Sequence, residues 1–152
     1  LTICHQTLDS STNNSTSPLL PTSLSIIMKT LELNHVAIHV EDVERTCEFY
    51  SNVMQLQALP RPAFDFPGAW YLLGEVQELH IIGNRDEQVN GHPRGNHFAL
   101  MVDDIDAWES HLDALGVEHY PRRVRPDGAQ QLFLHDPDGH TIELCVPPPS
   151  TE

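Results

Sequence analysis

The sequence predicts an α+β domain: tandem βαβββ modules forming a cupped mixed sheet with the helices on its outer side. Three observations carry this. An internal repeat comes first. Asn34-His35-Val36-Ala37-Ile38-His39-Val40-Glu41-Asp42-Val43 returns, with mostly conservative changes, as Asn96-His97-Phe98-Ala99-Leu100-Met101-Val102-Asp103-Asp104-Ile105. Second, each copy passes from strand to helical patterning at an aspartate, Asp42 or Asp104, the residue type that caps a helix N-terminus. Third, short apolar runs follow, closed by tight turns. Asp136-Pro137-Asp138-Gly139 is the strongest, because Pro presets φ, Asp bonds its own backbone and Gly accepts positive φ.

The first module, 31–83, opens with a strand at 31–40. A less regular helix at 43–54 carries Val43, Tyr50, Val53 and Met54. Three short strands follow, the last two joined across Gly74-Glu75-Val76-Gln77. A polar loop with Gly91, Pro93 and Gly95 leads to the second module, 94–146. Its strand at 96–102 precedes a helix whose Ile105, Trp108, Leu112 and Leu115 form one stripe. Gly116 stands where a left-handed residue ends a helix. The repeat continues at the same offset, Trp70-Tyr71-Leu72-Leu73 meeting Leu132-Phe133-Leu134-His135. One residue later in register, Leu79-His80-Ile81 meets Ile142-Glu143-Leu144. The domain is therefore 30–147, ended by Pro147-Pro148-Pro149, with a tail at 148–152. Residues 1–29 read as a low-complexity, disordered leader, with Met28 an alternative start.

Composition narrows the function. The chain has 22 acidic and 8 basic residues, a net charge of −14, and Lys29 as its one lysine. Nucleic acid is excluded as a partner, since phosphate neutralisation needs clustered cations. No run approaches the roughly 20 apolar residues of a membrane span. Cys4, Cys47 and Cys145 imply no disulfide framework, and a cytoplasmic setting is the expectation. The ten histidines raise metal binding or proton chemistry.

Strand parity places them. Side chains alternate between faces, so Val36, Ile38 and Val40 point toward a helix while His35, Ala37 and His39 point away. By the same rule His97, His80 and Glu143 fall on the face opposite the helices. His35, His80, His97 and Glu143 hold equivalent places in the first and last strands of the modules, and a pseudo-two-fold would converge them. Three imidazoles and a carboxylate suit one divalent transition metal: Zn, Ni, Fe(II), Mn or Co. An unpaired Glu in an apolar strand would otherwise be expensive.

These residues, with Leu33-Asn34-His35-Val36-Ala37-Ile38, Phe49-Tyr50, Arg61-Pro62-Ala63-Phe64-Asp65-Phe66-Pro67-Gly68-Ala69-Trp70 and the run Phe133 to Leu144, resemble the vicinal-oxygen-chelate superfamily. That superfamily includes glyoxalase I, fosfomycin- and bleomycin-resistance proteins, extradiol dioxygenases and methylmalonyl-CoA epimerase. The resemblance is to a single-domain, glyoxalase-I-like member. It implies metal ligands at His35, His97 and Glu143, with His80 standing where glyoxalase I has Glu. It also implies a homodimer. The leading expectation is a metal-dependent glyoxalase-like lyase or isomerase chelating vicinal oxygens of a small α-oxo or thiohemiacetal substrate. Glu143 would then serve as both ligand and base. Alternatives are an Fe(II) extradiol-type dioxygenase, using His35, His97 and Glu143, and a non-catalytic small-molecule-binding resistance protein. Ala37 replaces the Thr common in fosfomycin-modifying relatives. His39, Phe64, Trp70, Met101, Arg122 and Arg123 are candidate substrate contacts. His92, His111, His119, His135 and His140 read as surface residues, and Cys145 as a small buried hydrophobe.

Overall fold

The computed structural model describes residues 28–149. The expectations for residues 1–27 and for the end of the tail, 150–152, lie outside them. Residues 28–31 belong to a separate N-terminal unit and carry no helix or strand; every helix and strand belongs to the unit that starts at Glu32.

The first module contains β1 (His35–His39), α1 (Val43–Glu48), β2 (Ala58–Leu59), β3 (Gly68–Leu73) and β4 (Gln77–Ile82). The second contains β5 (His97–Met101), α2 (Ile105–Ala114), β6 (Arg123–Val124), β7 (Gln130–His135) and β8 (Thr141–Val146). Each is βαβββ. The strand orders, β1-β4-β3-β2 and β5-β8-β7-β6, are the same topology twice. The first strand of each module runs parallel to the last, and the remaining pairs are antiparallel. The cupped mixed sheet thus comes as two open four-stranded sheets. Each ends at its first strand, so among the described residues β1 and β5 keep one unpaired edge apiece.

Alternation decides which face is buried. Ile38, Val40, Leu79 and Ile81 of the first module join Leu132, Leu134, Ile142 and Leu144 of the second in one core cluster. Tyr50, Met54 and Leu112 reach it from the helical segments. At the general rate of about 25 cal/mol per Å² of apolar surface buried, each of these side chains contributes roughly 1.5–3 kcal/mol.

Both predicted caps form. Asp42 Oδ1 accepts from Arg45 N at 3.1 Å, and Asp104 Oδ1 accepts from Ala107 N at 3.0 Å. Asp104→Ala should cost about 1 kcal/mol of stability in urea unfolding without changing metal content. An unfolding curve superimposable on that of the wild type would mean the cap contributes nothing. Gly116 (φ +66°) and Gly139 (φ +92°) occupy the left-handed region, as their predicted roles require.

Three expectations needed adjustment. The first strand starts at His35 rather than residue 31, because Leu31 and Leu33 lack a ladder partner and stay exposed. The first helix leaves α geometry at Phe49 and closes with a π turn, Phe49–Val53, where Met54 N donates to Phe49 O. Thr46, Tyr50 and Met54 are the buried residues, spaced by four. At 3.6 residues per turn such a stripe drifts around an α-helix, and a wider turn keeps it on one face. Finally, ladder registers set Trp70 opposite His80 and Phe133 opposite Glu143. Trp70 therefore corresponds to Phe133, one position beyond the Leu132 that the alignment of His35 with His97 assigns to it.

The Asp136–Gly139 turn also joins the modules. The Asp138 carboxylate is fully buried. It accepts from Glu41 N (2.7 Å), Thr46 Oγ1 (3.0 Å) and Arg85 Nη2 (2.9 Å). Tyr50 Oη donates to Asp136 Oδ2 at 3.1 Å. Burial alone would raise Asp138, but the Glu41 N–H, Arg85, Thr46 and Arg45 together hold it below the usual carboxylate range.

Candidate metal centre

The ladders place His35, Glu78, His80 and Trp70 on one face of the first sheet. They place His97, Thr141, Glu143 and Phe133 on the corresponding face of the second. All four predicted ligands are therefore on the face opposite the core. Within the chain they are brought together as two pairs.

In the second module, His97 Nδ1 donates to Gly95 O at 3.1 Å, which leaves Nε2 with the lone pair. That Nε2 lies 3.1 Å from Glu143 Oε2. Two acceptors at this separation repel unless a cation lies between them, either a second proton or a metal ion. Glu143 is 5% exposed, and its other oxygen, Oε1, accepts from Gln131 Nε2 at 2.7 Å. The first module repeats the device: His35 Nδ1 bonds Asn34 Oδ1 at 2.8 Å, again leaving Nε2 as the ligating atom. An imidazole fixed through its other ring N–H is the usual setting of a metal-bound histidine.

His80 is held differently. Its ring is stacked between Trp70 and His35, with centroids 4.3 Å away on each side and interplanar angles of 9° and 14°. Its Nε2 donates to Glu78 Oε2 at 2.7 Å. Lone pairs lie in the ring plane, so two nearly parallel imidazoles do not aim at one point; joint chelation by His35 and His80 needs one ring to tilt. Among the described residues no group of three His, Cys, Asp or Glu side chains is gathered around a single point. The donor types thus fit a divalent metal, and each module supplies half of the set. His35 and His97 both border a cavity of about 780 Å³ at the free-edge strands.

The remaining candidates divide. His39 Nε2 donates to Gly83 O at 2.8 Å, a link between β1 and the loop after β4. Trp70 carries Phe64 at 6.0 Å, and Phe64 stacks on Phe66 at 5.2 Å. Met101 is exposed on the ligand face. Arg122 is taken up by Asp106 and Glu109 of α2 and reaches Gln130 of β7, so ion pairing satisfies the cation on the helix side of the sheet. Arg123 instead lies over the Phe133 ring, 5.9 Å from its centroid.

Sequence reasoning missed Glu78, Gln131 and Arg61. Glu78 was visible by parity alone, two residues before His80. Of the histidines read as surface, His111, His119, His135 and His140 are half-buried. His111 donates to Val53 O, and His140 donates to His39 O. His135 lies between Tyr120 Oη (3.0 Å) and Thr141 Oγ1 (3.2 Å), in the ladder row of His97. These rings were available to bond backbone and side chains that the repeat could not reveal. Burial and the Glu143 charge push the Cys145 thiol up, which keeps it protonated.

Fold and site together define a paired-βαβββ protein whose first and last strands carry His35 and His80 on one face of the first sheet and His97 and Glu143 on the corresponding face of the second. The profile of the glyoxalase/bleomycin resistance protein/dioxygenase superfamily matches residues 32–144. The chain belongs to that superfamily. It is 31% identical over 121 residues to glyoxylase I 4 of Arabidopsis thaliana, covering 74% of this chain and 69% of that protein. A glyoxalase family protein of Bacillus anthracis has a similar structure, with a TM-score of 0.69, 25% identity and coverage of 80% and 98%. So does a single-residue mutant of the fosfomycin resistance protein FosX from Listeria monocytogenes, in complex with Mn(II) and a dihydroxypropylphosphonic acid. There the TM-score is 0.66 at 22% identity, with coverage of 78% and 93%. No helix among the described residues is long and apolar enough to cross a membrane.

Proposed function

We propose that the protein is a divalent-metal-dependent lyase or isomerase of glyoxalase type, acting on a small α-oxo or thiohemiacetal substrate. The observation that carries this is the approach of His97 Nε2 to the buried Glu143 Oε2 at 3.1 Å, an imidazole and a carboxylate close enough to share one cation. Similarity to a glyoxylase I supports the reaction class.

His35, His80, His97 and Glu143 would hold the ion. A divalent metal held there would supply Lewis acidity to the substrate's oxygens. Glu143 is the one carboxylate of the four, so it takes the substrate proton and returns it to the neighbouring carbon. Gln131, donating to Oε1, holds the carboxylate while Oε2 works. The buried setting of Glu143 excludes water, which strengthens its interaction with any developing charge.

The complete site is proposed to form in a homodimer. The free edges of β1 and β5 allow the His35–His80 half of one protomer to meet the His97–Glu143 half of its partner. Mixing refolded His35→Ala and His97→Ala chains tests this. Sites shared between chains predict recovery of about a quarter of wild-type metal binding, because a mixed dimer keeps one intact site. Sites contained in one chain predict none.

One observation favours a second reading. Because Glu78 occupies His80 Nε2, His35, His97 and Glu143 form a two-His, one-carboxylate set of the kind that binds Fe(II) with positions open for catechol and O₂. Anaerobically purified protein that holds Fe(II) and consumes O₂ with catechols would select this dioxygenase. Hemithioacetal turnover with Ni, Co or Zn selects the lyase, and ligand binding without turnover in either assay leaves a binding protein.

A further inference from the structure

The walls beside the ligand pairs point to a substrate class. In each module the ladder sets an aromatic ring directly beside a ligand: Trp70 beside His80 and Phe133 beside Glu143. Each wall also carries an arginine. Arg61 lies over Phe64 and Phe66, with its guanidinium carbon 4.6 and 4.8 Å from their centroids, and this group packs on Trp70. Arg123 lies over Phe133. Arg123 also pairs in register with Gln131, the residue that bonds Glu143, and so lies on the sheet face that carries Phe133.

Charge makes this placement informative. The chain carries 22 acidic residues against 8 basic ones. Among the described residues Arg45, Arg85, Arg122 and Arg125 all have carboxylate partners. Arg94 stands in the exposed loop between the modules, away from either wall. Arg61 and Arg123 neighbour ring faces and, for Arg61, the Phe66 carbonyl at 3.0 Å. Arg61 Nε is moreover buried without a hydrogen-bond partner. Acidic residues outnumber basic ones almost three to one, yet each aromatic wall keeps an arginine with no carboxylate at ion-pair distance among the described residues. The two offset locally the field of a protein that otherwise repels anions. Phe64 is 46% exposed, so this aromatic group reaches solvent, where a planar ligand can meet it.

Resting on the metal-dependent function, we propose that the substrate is a small flat anion, an aromatic or otherwise conjugated α-oxo carboxylate. In the homodimer proposed above, its plane lies along the Phe64–Trp70 wall of one protomer and the Phe133 wall of its partner, and its charge lies toward Arg61 and Arg123. A guanidinium already oriented on a ring face loses little freedom when it bonds a carboxylate.

Calorimetry on the full chain, both Zn(II)-loaded and stripped with chelator, tests the assignment with three probes: phenylglyoxylate, its methyl ester and cyclohexylglyoxylate. The walls do not need the ion, so the preferences should appear in both forms. Phenylglyoxylate should bind about tenfold tighter than the ester and than the saturated acid. Arg123→Gln, at an exposed position, should remove about tenfold of the acid's affinity and leave the ester unchanged. Equal binding of acid and ester, or an acid preference intact in Arg123→Gln, overturns the proposal. So does an acid preference confined to the Zn(II) form, which would assign recognition to the ion. Failure to bind Zn(II) at all counts instead against the metal-dependent function, and the stripped protein still reports on the walls.

Discussion

Glu143→Gln should bind less than a tenth of the metal held by the wild-type chain while remaining folded. The carboxylate sits 3.1 Å from His97 Nε2 and is held from its other side by Gln131. Glutamine keeps the shape and a carbonyl oxygen, so packing among Phe133 and Ala99, its ladder neighbours, survives. What disappears is the negative charge that offsets a divalent cation. Stability should change by about 1 kcal/mol or rise slightly, because a buried carboxylate charge is costly when no ion offsets it. His97→Ala should lose metal to the same extent. Elemental analysis of dialysed protein, paired with a denaturant curve, checks both. Undiminished metal in either variant would remove that residue from the site.

The second large effect lies away from the metal. Asp138→Asn should cost about 3 kcal/mol, since it strips the charge from a fully buried carboxylate that two arginines and a backbone N–H address. Arg85 would then be left half-buried with only the more distant, exposed Glu41 carboxylate. The pH dependence follows from the sign of the shift. Asp138 is held below its unfolded value, so its contribution is fully present above about pH 4 and is lost as pH falls through the lower folded value. Asp136 has the opposite sign: burial raises it despite His140, the His140 and Asp138 N–H groups and the Tyr50 hydroxyl. Its protonated form is favoured in the fold, so its contribution is greatest at low pH and fades as pH rises through its folded value. Urea curves between pH 3 and 7 should show the wild type losing more stability on acidification than Asp138→Asn. Parallel curves would mean that Asp138 is not ionised in the fold.

The repeat made the placement of the candidate residues legible in the sequence alone. It fixed the two helix starts, their Asp42 and Asp104 caps, and the parity that put His35, His80, His97 and Glu143 on the sheet faces opposite the core. Patterning was sufficient there because those properties are local. It failed where geometry is not local. The alignment that matches β1 with β5 misplaced Trp70 by one position, because hydrogen-bond register sets the pairing of β3 with β4. Asp138 read as turn chemistry, and nothing near it in sequence announces Glu41, Thr46 and Arg85 as partners. Arg61 and Arg123 differ from Arg122 only in the absence of a carboxylate, which sequence distance does not encode. Pairing of His35 with His80, apart from His97 with Glu143, follows from free edges at β1 and β5 that alternation does not reveal.

The central claim is that His35, His80, His97 and Glu143 build a divalent-metal site. Metal content per chain of the purified full-length protein, after reconstitution with Zn, Ni, Co, Mn or anaerobic Fe(II) and exhaustive dialysis, tests it most directly. The account predicts about one tightly held ion per chain for at least one of these metals. Retention of none of them, with the protein folded, would contradict it.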